Sequence, residues 1–436
     1  MYRYSSESTL AQKLRQARER AGLTQEEVAR ALGVSRELVS LWENGERVPG
    51  AAYLARLASL YGVKEKSLFS PRPLEPLEDL KVLLREEAEE GLSPKARLEL
   101  QNWLDFLDAY ADFLEGEGLP SPYLKRPPKE IGVYKSPLTD LRQASSRALE
   151  TRKAFALGED AIPEPYTFLE EVGILVYKAS LGSEPGKSVW GAFYKHPRLG
   201  FSVLVNADST PGRQAFTLAH ELAHAFYHHQ ALGIVCRREG LTPEEEALEE
   251  FANAWAAHFL VPGKALRRKA QELVKVRGRF GPEEALLLAH HFRVSYALLL
   301  FRLKNEGLIG KEELEEWKAY SPQSMAQKLG LPQGAYTLPR SRGELGLSRY
   351  PPSVLLQVRR AVLEDRLSVS EASGLLDVDS AAFRDFLAPP KREANPEVAE
   401  LEEELDFTSP GRKGRAVLRK AEGRAVLEVR AALEEP

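Results

Sequence analysis

Cysteine is almost absent from this 436-residue chain: Cys236 is the only one. That excludes an intramolecular disulfide framework and any multi-cysteine zinc knuckle, and it fits a reducing compartment such as the cytoplasm. No apolar run approaches membrane-spanning length. The N-terminus, MYRYSSESTLAQKLRQARER, lacks the apolar core of a signal peptide. Excess positive charge is also missing. A formal net charge of -4 excludes a protein coated in nucleic acid, although it allows one small DNA-reading module. With 43% hydrophobic and 28% charged residues, the composition is that of a globular chain large enough for several domains.

Histidine, by contrast, is concentrated. Four of the eight fall in RQAFTLAHELAHAFYHHQ, Arg213 to Gln230. HELAH places His220 and His224 four residues apart, about 40° around a helix axis and ~6 Å along it, so both imidazoles can meet one ion. The stripe Phe216, Ala219, Leu222, Ala223 and Phe226 would anchor that helix on a core. Glu221 is then set to take a proton from water beside the ion, the general base of HExxH hydrolases. His228 continues the series but lies ~12 Å along the axis from His220, too far to share an ion with it. Tyr227 or His228 is a candidate for steadying an oxyanion. A catalytic zinc needs a third protein ligand and an open position. The next helix, EEEALEEFANAWAAHF, offers several carboxylates.

RQAFTLAHELAH followed by EEFANAWAAHFLVP resembles the ImmA/IrrE family of metallopeptidases over about residues 140–310. The resemblance implies metal ligands His220, His224 and Glu249, with Glu221 as catalytic base and zinc as the ion (manganese as an alternative). Trp255 and His258 stand where smaller or less polar residues are common in that family. Glu244, Glu245, Glu246 and Glu250 read as a solvated face.

Nearer the N-terminus, LTQEEVARALGVSRELVSLWENGERVP resembles the Cro/C1 (XRE) type of helix-turn-helix over roughly residues 10–69. Thr24 and Glu27 form a capping box, Gly33 occupies the turn, and Val28, Leu32, Val34, Val39 and Trp42 can close a small core. The recognition helix then presents Ser35, Arg36, Glu37 and Ser40 to base edges, while Gln25, Asn44 and Arg47 are suited to phosphate contact. Arg18 and Glu43 match positions that pair in this fold. Residues 1–70 hold 11 Lys/Arg against 8 Asp/Glu, a local excess of positive charge.

The expected architecture is multidomain and mainly α. A helix-turn-helix bundle occupies 1–70, and a helical spacer or linker, a candidate for dimerisation, spans 71–135. An α+β zincin-like metallopeptidase domain with a small sheet fills 136–318, followed by a small helical domain at 319–390 and a charged tail at 391–436. The spacer carries an apolar stripe, Leu100, Trp103, Leu104, Leu107, Tyr110 and Leu114, that needs a partner within the chain or across a dimer. The tail reads as a flexible arm or an added helix.

The expected function is a cytoplasmic, homodimeric DNA-binding regulator with a zinc-dependent endopeptidase domain. Its partners would be a double-stranded DNA operator and a helix-turn-helix repressor as substrate. Self-cleavage at 70–80 or 119–129 is a variant of this. The alternative is a repressor whose metallopeptidase-like domain only senses or dimerises.

Overall fold

The computed structural model describes residues 9–21, 23–61, 63, 65–69, 92–162, 164–182, 189–231, 233–236, 241–332 and 345–388, with strand backbone at 402–409, 412–421 and 424–431. The chain divides into two compact units, Met1–Phe383 and Arg384–Pro436.

The N-terminal helices are α1 (Leu10–Arg20), α2 (Gln25–Leu32), α3 (Arg36–Glu43), α4 (Ala51–Tyr61) and α5 (Glu65–Phe69). Local chemistry sets their limits. Thr24 and Glu27 cap α2 reciprocally, Gly33 ends it with a left-handed φ of 69°, and Ser35 caps α3. Leu14, Ala17, Val28, Leu32, Val39, Trp42, Leu57 and Tyr61 are buried together, and Val34 packs half-buried against them.

A four-stranded sheet organises the centre. Strands β1 (Leu175–Ala179), β2 (Gly191–His196), β3 (Gly200–Asn206) and β4 (Gly233–Cys236) lie in the order β1-β3-β2-β4. β1 runs parallel to β3, and β2 is antiparallel to both β3 and β4. Every residue of β3 is buried because both faces of the sheet are covered. Phe201, Val203 and Val205 join Leu218 and Leu222 of the histidine-rich helix in one core.

The opposite face answers the question of the spacer stripe. Helix Pro94–Gly116 lies against it: Trp103 Nε1 donates to Ser202 Oγ at 3.0 Å, and Phe106 stacks on Tyr177 at 5.6 Å. Leu100, Trp103, Leu104, Leu107, Tyr110 and Leu114 are all at most 2% exposed. Of the two partners open to the stripe, the one within the chain is the one it meets. Arg349 closes the arrangement from the C-terminal side, bonding Glu99 at 2.6 Å and the Tyr177 hydroxyl at 2.8 Å. Beyond it, Pro352–Leu363, Val369–Leu375 and Ser380–Leu387 are helices, as expected for a small helical region.

Among its described residues the tail is neither an arm nor a helix. It contains three antiparallel strands, Glu402–Ser409, Arg412–Ala421 and Arg424–Ala431. The repeated GRAVL supplies two segments of like strand preference, which lie offset in adjacent strands and meet only at Leu418 opposite Leu427.

One buried cation holds the central helices together. Arg152, 2% exposed, donates to the carbonyls of Phe259 at 2.6 Å and Gly158 at 2.9 Å. It thus satisfies an end carbonyl of helix Pro243–Leu260 that lacks an intrahelical partner. Arg152→Met should leave those carbonyls unpaired and lower unfolding free energy by roughly 2–4 kcal/mol. Denaturant titration of the two proteins measures it; an unchanged midpoint would contradict this role.

Candidate metal centre and nucleic-acid interface

Two helices build the central site. The first, Pro211–Tyr227, starts at Thr210, whose hydroxyl accepts from Arg213 N, with Pro211 in the first turn. The second, Pro243–Leu260, starts with a capping box between Thr242 and Glu245. Glu245 is therefore used in capping, while Glu244, Glu246 and Glu250 are exposed. Glu249 alone among these carboxylates turns inward to the histidines.

The donor atoms converge. His220 Nε2 lies 3.0 Å from His224 Nε2 and 3.1 Å from Glu249 Oε2, and His224 Nε2 lies 3.4 Å from Glu249 Oε1. Donors at ~2.0–2.2 Å from one tetrahedral ion sit roughly 3.3–3.6 Å apart, so this trio fits a small divalent ion. His228 supports it from beneath. Its Nε2 is 2.7 Å from the Leu138 carbonyl, which can only accept, so Nε2 carries the proton and Nδ1 is free to accept. Nδ1 of His228 lies 2.7 Å from Nδ1 of His224, which must then donate. That leaves the His224 Nε2 lone pair directed at the centre. Burial lowers the His228 pKa to about 3, keeping the ring neutral as this relay requires.

Glu221 is wholly buried, and neither carboxylate oxygen has a hydrogen-bond partner among the described residues. Burial pushes its pKa up to about 8. Its space comes from Gly191 in β2, where an added Cβ would fall 2.5 Å from Glu221 Oε1 and 2.5 Å from Thr217 Cγ2. Gly191→Ala should therefore push the carboxylate off its position while sparing the ligands. The expected result is a loss of about tenfold or more in hydrolysis with metal content unchanged. Equal rates in the two proteins would show that Glu221 is not placed by this contact.

A fourth donor joins the cluster. The ligand atoms of His220, His224, Glu249 and Cys236 all lie within 4.8 Å of one another. Cys236, at the end of β4, pairs across the sheet with Gly191 and is 2% exposed. The sequence gives no spacing signal for it, because the strand is short and the pairing non-local. His228 did carry a signal: the i+4 step linking His220 to His224 also links His224 to His228. Neither Tyr227 nor His228 is free to steady an oxyanion. The Tyr227 hydroxyl is 2.9 Å from Thr151 Oγ1, and the His228 nitrogens are bound as above.

At the N-terminal module, Ser35, Arg36 and Glu37 are exposed at the start of α3, and Asn44 and Arg47 are exposed beyond its end. Ser40 is half-buried, with its hydroxyl 3.4 Å from Asn44 Nδ2. Arg18 grips Glu43 at 2.7 and 3.0 Å. Gln25 is drawn into the same knot, donating through Nε2 to Glu43 Oε2 at 3.0 Å. Its amide thus braces α2 on α3, where the sequence suggested a phosphate contact.

Among the described residues no single helix is long and apolar enough to cross a membrane. Residues 9–68 match the family model for a helix-turn-helix domain. Residues 169–304 match that of peptidase family M78, described as the IrrE N-terminal-like domain. No curated protein matches the chain. Among solved structures, the crystal structure of Bacillus thuringiensis PlcR in complex with the peptide PapR7 and DNA is similar at 11% identity over 88% of this chain and 99% of that one. Its TM-score is 0.15.

Proposed function

We propose that this chain, which joins a helix-turn-helix domain to an IrrE N-terminal-like domain of the M78 peptidase type, is a DNA-binding regulator and a metal-dependent endopeptidase acting on a repressor-type protein. One observation carries the reading: His220, His224 and Glu249 converge from two helices beside a buried, unpaired Glu221. Zinc suits the two imidazoles and the carboxylate, and manganese is the alternative.

A divalent ion held there would supply Lewis-acid polarisation. The chain's own residues do the rest. Glu249 and the two imidazoles fix the ion, and the Leu138–His228 relay orients His224. Glu221, made more basic by burial, takes as its carboxylate a proton from the attacking water and returns it to the leaving amine. The helix-turn-helix, used as a homodimer on two half-sites, would bring the peptidase to an operator where such repressors are bound.

The DNA half has its own test. Arg36→Ala should cost roughly 1–3 kcal/mol on the operator, with little loss on unrelated DNA, if Arg36 reads a guanine edge. Arg47→Ala should weaken binding to every sequence and lower the salt slope by about one. Salt-controlled titrations separate the two. No sequence preference in the parent protein would remove the regulator half. For the peptidase half, metal-loaded full-length protein is incubated with helix-turn-helix repressors and the products are mass-analysed. Discrete internal fragments, absent with chelator, are expected; intact repressor throughout would favour a domain that only senses.

A further inference from the structure

The expected ligand set has three members and an open fourth position, yet the chain places its single thiol beside those three donors. Cys236 Sγ lies within 4.8 Å of the donor atoms of His220, His224 and Glu249, and these four donors arise from three separate elements. Beside them is the wholly buried Glu221 carboxylate, with no hydrogen-bond partner among the described residues. Two imidazoles, a carboxylate and a thiolate are together a donor set that suits one zinc ion, whose bond to sulfur is only ~0.2–0.3 Å longer than that to nitrogen.

We propose that Cys236 Sγ is the fourth ligand of this metal centre, so that the resting protein holds its ion in a closed set of two histidines, one glutamate and one cysteine. This rests on the metal-centre reading above. Four-coordinate closure is the mark of structural sites, whereas hydrolysis needs a vacant position. Thiolate and hydrolytic water thus compete for one place, and the peptidase is latent until Cys236 withdraws. Its strand is suited to withdrawal: β4 has four residues and, among the described residues, pairs on one side only, with β2. A thiolate in the set also favours zinc over manganese.

Cobalt(II) added to the metal-free full chain reads the ligands directly. Wild type should show visible bands of four-coordinate cobalt together with a near-ultraviolet sulfur-to-cobalt charge-transfer band. Cys236→Ser should keep the visible bands, lose the charge-transfer band, bind zinc about tenfold more weakly and hydrolyse substrate faster at equal metal loading. Visible bands without charge transfer in wild type would overturn the proposal and leave the three-ligand centre standing. No cobalt bands at all would overturn the metal centre itself and this proposal with it. Should Cys236→Ser fail to fold, zinc-edge X-ray absorption of wild type decides, with one sulfur scatterer expected and none contradicting.

Discussion

Glu221→Gln should abolish hydrolysis, by roughly 10²–10⁴-fold in rate, and leave one divalent ion bound per chain. Glutamine keeps the size of the side chain but cannot accept the proton of an attacking water. Glu221 is not among the donors that surround the centre, so the ion has no reason to leave. Loss of metal together with activity would instead make Glu221 a ligand. The same substitution carries a pH signature in the metal-free protein. Folded Glu221 has a pKa of about 8 against an ordinary 4.5, so the folded chain holds a proton that the unfolded chain releases. Stability associated with this group is therefore full below pH 4.5, falls as the pH rises towards 8, and then levels off. Metal-free Glu221→Gln, which cannot ionise, should be more stable than wild type at pH 9, and the gap should close by pH 4.5. Parallel melting curves across that range test it; a gap independent of pH would contradict the assigned burial.

The second large effect separates ligands from their supports. His224→Ala removes a donor and should weaken metal binding by well over about 100-fold, whereas His228→Ala removes only the ring behind it and should cost about 10–100-fold. Competition with a chromophoric chelator measures both. The supporting role predicts that His228→Asn, which retains an acceptor, recovers part of the loss. Equal losses for His224→Ala and His228→Ala would indicate that His228 itself reaches the ion.

How much of this was visible in the sequence follows the range of each interaction. The i+4 histidines, the capping boxes and the turn at Gly33 are local, so residue order alone places them. The ion pair of Arg18 with Glu43 was suggested by the resemblance to a known fold, and the two side chains meet as expected. Glu249 was named through resemblance too; spacing left it among several carboxylates, and only the packing of two helices singles it out. Long-range consequences were hidden. Nothing local joins Cys236 to Gly191, and both matter because β4 pairs with β2 beneath the Glu221 carboxylate. The spacer stripe was legible as apolar, but its partner is the far face of a sheet about a hundred residues on, as Trp103 and Ser202 illustrate. The tail misled for a different reason: it is rich in charge, yet the Val, Ala and Leu of the two GRAVL segments lie in adjacent paired strands, with Leu418 opposite Leu427.

The most direct test is metal stoichiometry by elemental analysis of purified full-length protein, reconstituted with zinc and freed of excess. The account requires one ion per wild-type chain and none in His220→Ala/Glu249→Ala of matched helicity. Wild-type protein that stays metal-free after reconstitution would contradict it.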